Sequence, residues 1–100
     1  MGEKEKEMKK TIEALRKFWD CENSREFMRC AYMHRKELEE IDERYVDALE
    51  LVVGIDDRSK KHEWIAQLLD MTDRYIDDQV PKCMIASAID FSIWAVREFS

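Results

Sequence analysis

Glycine and proline are nearly missing from this 100-residue chain, which has two of the first and one of the second. Strands joined by hairpins need tight turns, and tight turns draw on Gly, Pro, Asn and Asp-Gly pairs. Their scarcity excludes a β-rich fold. Long apolar runs are missing as well. The longest nearly uncharged stretch, Cys83 to Val96, contains Asp90 and falls short of the ~20 residues a membrane helix needs. The opening MGEKEKEMKK has no apolar core and does not read as a secretory signal. Three cysteines at unrelated spacings suit a reducing compartment, read here as the cytoplasm, better than a disulfide framework. Positive charge is in deficit, with a formal net charge of −6, so a duplex nucleic-acid backbone is excluded as the main partner.

What is present is 45% apolar and 40% charged residues, the composition of one helical domain spanning residues 1–100. The first segment, roughly Glu3 to Cys21, spaces Met8, Ile12, Leu15 and Trp19 along one helical face. Its polar opening, residues 1–7, is expected to fray. Asn23, with Glu26 three residues on, offers a capping-box-like start for a second helix. There Phe27, Ala31, His34, Leu38, Ile41, Tyr45, Ala48 and Val52 follow at alternating steps of four and three. Such a seam predicts one helix of about 28–30 residues, ~42–45 Å long, ended by Gly54 in the left-handed conformation.

Asp57 or Ser59 caps a third helix carrying Ile65, Leu68, Thr72 and Tyr75, and Pro81 opens a fourth. On that last helix the apolar side chains fill an arc of roughly 160°, against the ~100° that a one-sided surface helix needs. It is therefore expected to be either the central helix of a four-helix bundle or the contact of a homo-oligomer. Ser87, Asp90 and Arg97 form its polar, solvent-facing strip.

Chemistry-bearing side chains form two groups. Cys21, Cys30 and His34 have soft-ligand character, but no CxxC or HxxxH pair accompanies them. Cys30 and His34 therefore read as core residues, His62 as exposed, and neither metal nor cofactor is expected. No GxSxG or Gly-rich phosphate loop supports nucleophilic or phosphate chemistry. The carboxylates form rows opposite the apolar seams: Glu40, Glu43, Asp47 and Glu50 on the second helix, and Asp70, Asp73 and Asp77 on the third. A row of like charges is a solvated face or a surface that steers a basic partner.

Those ExxE and DxxD pairs are similar to the Mg²⁺-binding pattern of the all-α nucleotide pyrophosphatases, which implies a metal-dependent triphosphate hydrolase. In that family the acids point inward, whereas here they face away from the seams. Arg35-Lys36-Glu37-Leu38-Glu39-Glu40-Ile41-Asp42 resembles the opening helix of AroQ-type chorismate mutases. The later cations that bind their dianionic substrate are missing from Leu49 to Gly54. Asp90-Phe91-Ser92-Ile93-Trp94-Ala95-Val96-Arg97 resembles the closing helix of small phage proteins that sequester cyclic-oligonucleotide immune signals. Those are all-helical homo-oligomers, so the likeness implies Trp94 and Arg97 as oligomer contacts. It covers under a fifth of the chain, and the family's ligand-contacting residues find no counterpart.

The sequence thus predicts an all-α, homo-oligomeric, non-enzymatic binding protein with two surfaces. One is an apolar oligomer face of Phe91, Ile93, Trp94 and Arg97. The other is an acidic face of Glu40, Glu43, Asp47, Glu50, Asp70, Asp73 and Asp77 for a basic protein, or a site for a small cyclic nucleotide.

Overall fold

Apolar side chains at helical spacing leave this chain one way to bury them, and the computed structural model is correspondingly all-helical. It describes the backbone of residues 3–99 and the side chains of residues 5–98. Six helices and no strand occur among the described residues. The first, α1 (Glu3–Asp20), buries Thr11, Ile12, Leu15 and Trp19. Its polar opening, expected to fray, is helical from Glu3; residues 1 and 2 lie outside the described residues.

The helix closes at Glu22, whose φ of 56° is left-handed. Asn23 N–H donates to Phe18 O at 3.0 Å and Glu22 N–H to Trp19 O at 3.0 Å, the paired bonds of a Schellman motif. Asn23 then caps the next helix as expected, its side chain accepting from Glu26 N at 3.1 Å.

The long second helix is corrected. The segment folds as three pieces: α2 (Ser24–Met33), α3 (Arg35–Ile41) and α4 (Tyr45–Val53). The longest dimension of the whole molecule is 40 Å, less than the rod the heptads predict. At His34 the chain only kinks, since His34 N–H still donates to Cys30 O and Leu38 N–H to His34 O. His34, expected in the core, keeps its side chain 35% exposed, turned toward Glu37 at 3.4 Å. A polar ring in an apolar seam bends outward to keep its solvation.

Between α3 and α4 the helix is interrupted outright. Asp42 adopts extended backbone, φ −158° and ψ 130°, and its carboxylate accepts from Arg44 N at 2.9 Å. This side-chain-to-backbone bond competes with helix continuation. Arg44 holds the Asp42 carboxyl below its usual range. The seam's burial pattern nonetheless carries across both interruptions: Phe27, Ala31, Leu38, Ile41, Tyr45, Ala48 and Val52 are all buried.

Gly54 ends α4 in the right-handed region, φ −77°, rather than the left-handed one expected. The turn is made instead by Ile55, which is buried and whose N–H donates to Val52 O at 3.1 Å. Asp57 caps α5 (Arg58–Ile76) by accepting from Lys60 N at 3.0 Å. The second left-handed residue is Asp78, φ 59°, just past the end of α5. Pro81 directly precedes α6 (Lys82–Phe99).

The last helix is not central. The inner places belong to α4, which packs against α2, α3, α5 and α6, and to α5, which packs against α1, α4 and α6, while α6 packs on α4 and α5. Ile85, Ile89, Ser92 and Ala95 face inward, with the Ser92 hydroxyl donating to Ala88 O at 2.9 Å. In the core between α4 and α5, the buried Tyr45 hydroxyl lies 2.6 Å from Thr72 Oγ1, which donates to Leu68 O at 2.7 Å.

Candidate interaction surface

Because α6 packs on α4 and α5 with one side, its other side is exposed among the described residues. Helical periodicity decides what that side displays. Met84, Ser87, Phe91, Trp94 and Glu98 recur at alternating steps of three and four, the spacing of a seam that meets another helix. Met84 is 41%, Phe91 48% and Trp94 53% exposed. The same helix therefore has one apolar face inside and a second one outside, which is how it fills the wide arc read from sequence.

The outer face is held in shape from behind. Trp64 of α5, itself buried, stands edge-on to Phe91 at a centroid distance of 6.1 Å and an interplanar angle of 89°. Phe91 in turn lies 5.8 Å from Trp94. Aromatic contacts of this kind contribute about 0.5–1.5 kcal/mol each beyond area burial, so the exposed pair is pre-ordered rather than loose. Two aromatic rings fixed in water at adjacent turns are costly to solvate and leave little entropy to lose when covered.

The predicted oligomer residues separate on this geometry. Phe91 and Trp94 stand outward and Arg97 is exposed beside them. Ile93 is only partly exposed and packs against the core. Trp64, missing from the predicted set, supports the face from another helix; its proximity to Phe91 is a tertiary contact with no signature in local spacing. Asp90 flanks the stripe, 65% exposed and paired with Arg44 of the α3–α4 turn.

The predicted acidic residues do not form one ridge. Interruption at Asp42 puts Glu40 on α3, Glu43 in the turn, and Asp47 and Glu50 on α4, all four exposed. Arg35 approaches Asp47 at 3.7 Å, and Glu50 acts electrostatically on the Tyr32 phenol. Partial desolvation and the neighbouring Glu50 carboxylate raise that phenol.

On α5, Asp70 pairs with Arg74 at 3.4 Å. Asp73 receives Arg16 at 3.3 Å and Lys9 at 3.9 Å, and Lys9 reaches Asp77 at 2.6 Å. This row is therefore the seat of α1, whose cations cross over to it. The Asp77 hydrogen bond raises the Lys9 ammonium.

Other candidate sites carry less. All three cysteines are free thiols; Cys30 is buried, which pushes its thiol up, and Cys21 and Cys83 are exposed. Among the described residues no group of three or more His, Cys, Asp or Glu side chains comes close enough to hold a metal ion. No helix of the described residues is long and apolar enough to cross a membrane. His62 is exposed as expected, its ring stacked 5.8 Å from Trp19, whose indole N–H donates to His62 O at 3.2 Å.

Two of the hollows are open clefts. One, of about 580 Å³, has Met8, Ile41 and Ile76 among its lining with Glu5, Glu40 and Asp78 alongside them. The other, of about 400 Å³, lies beside Trp19, Arg58 and His62, where Arg58 is paired with Glu22. The chain matches no family model, no curated protein and no solved structure.

Proposed function

We propose that this protein is a non-catalytic binding module whose working surface is the outward stripe of α6. The observation that carries the reading is the half-exposed Phe91–Trp94 pair, buttressed by Trp64 and set in a three-four repeat. A repeat of that period fits a second helix laid along the first, with aromatic anchors at the centre of the contact and charges at its edge. The exposed acids of the α3–α4 segment, Glu40, Glu43, Asp47 and Glu50, though not one ridge, favour basic partners. Pairing of Asp73 and Asp77 with Lys9 and Arg16 supports binding over hydrolysis at a metal–triphosphate centre, because those carboxylates already serve to dock α1.

A photo-crosslinking amino acid placed at position 94 in cells tests the reading. Discrete covalent adducts are expected there and not at Glu13, exposed on α1. An adduct pattern at 94 no different from that at 13 removes α6 as the working surface.

A further inference from the structure

Among the clefts, the thiols, the acidic rows and the exposed faces, only the α6 stripe carries information about what would cover it. That information lies in the charges along its edge. Asp90 and Arg97 sit on the same flank of the stripe, seven residues or two turns apart, and are opposite in sign. Both are exposed, and Asp90 remains so while paired with Arg44. Such a flank complements a reversed copy of itself.

Building on the reading of α6 as the working surface, we infer that its partner is a second copy of this chain, with the two α6 helices packed antiparallel about a two-fold axis beside Trp94. The reversal places Asp90 of each copy against Arg97 of the other, on both sides of the axis. Midway between positions 90 and 97 lies residue 93 or 94, so the same operation brings the two Trp94 rings together at the axis with a Phe91 on either side. Charge register and aromatic register thus require the same axis. A parallel two-fold pairing would put the Asp90–Arg97 flanks of the two copies on opposite sides of the seam, where these charges cannot meet. A two-fold contact is also the commonest way for one exposed patch to be covered without leaving a copy of it free, as an open filament would.

Purified protein tests this by sedimentation and light scattering between about 1 and about 100 µM. Wild type is expected to dimerise. Asp90→Arg and Arg97→Asp each put like charges at both rim contacts and should weaken the dimer at least about tenfold, the effect of roughly 1.4 kcal/mol. An equimolar mixture of the two variants should form a heterodimer, and the double reversal D90R/R97D should restore a homodimer. Arg97→Glu alone carries the same test if loss of the Arg44 contact unfolds D90R.

A wild type that stays monomeric at the highest concentration overturns the inference. So does a dimer indifferent to the single reversals, or singles that neither mixing nor the double reversal rescues. Adducts at position 94 to a different protein, alongside a monomeric purified chain, would overturn the second copy while keeping α6 as the surface. Absence of adducts would remove both.

Discussion

Replacing Thr72 with valine should destabilise the protein more than replacing Tyr45 with phenylalanine, and making both changes should cost less than Thr72→Val alone. The asymmetry comes from counting protons. Thr72 has one hydroxyl hydrogen, and it is engaged with Leu68 O at 2.7 Å. The 2.6 Å contact between the two hydroxyls therefore has Tyr45 donating and Thr72 accepting. Removing the Tyr45 hydroxyl takes one accepted bond from Thr72 and leaves its own donation intact, a loss of about 0.5–1.5 kcal/mol. Thr72→Val preserves shape but strands the phenolic proton of a fully buried tyrosine, which costs about 1–3 kcal/mol. With both hydroxyls gone nothing polar is stranded, and the double variant should lie within about 1 kcal/mol of wild type.

In a domain of this size each kcal/mol moves the melting temperature by about 4–8 °C, so thermal and urea melts followed by circular dichroism resolve the four proteins. If Tyr45→Phe proves the costlier change, the donor direction is reversed. If the double variant costs the sum of the singles, the hydroxyls do not interact. An alkaline arm adds an independent check. Burial raises the Tyr45 phenol above its ordinary value of about 10, so at higher pH the unfolded chain loses that proton before the folded one. Stability should then fall as pH climbs past about 10, and fall less in Tyr45→Phe.

Three further outcomes bear on the helix ends. Gly54→Ala should stabilise by about 0.4–1 kcal/mol, because the residue is right-handed and an added Cβ meets Leu51 O at an ordinary 3.4 Å. A loss of stability in a melt would mean a left-handed cap after all. Asp78→Gly should raise stability by about 0.5–1 kcal/mol by relieving a left-handed backbone at a non-glycine residue, and an unchanged or lower melting temperature refutes that. Asp42→Asn removes a carboxylate held below its usual range by Arg44. The wild-type contribution is present above about pH 4 and disappears as pH falls through the lowered value. The variant should therefore start less stable at neutral pH and lose less than wild type between about pH 5 and about pH 2.5; parallel curves would contradict it.

The inner face of nearly every helix was legible in the spacing of its apolar residues. The seam from Phe27 to Val52 is buried at seven of eight positions, although the helix beneath it is broken twice. Periodicity reports which side of the chain faces the core, and a short interruption that keeps the phase leaves it unchanged. The break itself depends on one carboxylate bonding Arg44 N, a competition that pattern counting does not weigh. Gly54 misled for a related reason: glycine permits a left-handed turn but does not require one, and here Glu22 and Asp78 take that conformation.

For the candidate surface, the excess of apolar residues on the last helix was readable, as were Phe91 and Trp94. The outward direction of Met84 and the support from Trp64 depend on which helices lie behind α6. Acidic spacing on α5 was equally readable, but not its neutralisation by Lys9 and Arg16, which come from a helix about 60 residues earlier.

That clasp between α1 and α5 also sets an order of events as the chain is made. Ile12, Leu15 and Trp19 emerge first, yet the helix that covers them ends at Ile76. At ~5–20 residues per second of synthesis, the interval between the two helices is several seconds, long compared with the microseconds a helix takes to form. Of the helices made in the meantime, α2 gives that face its main cover, through Phe27 against Trp19. The charges on α1 bear on that interval: Lys9 and Arg16 give the waiting helix an electrostatic preference for Asp73 and Asp77 once they arrive.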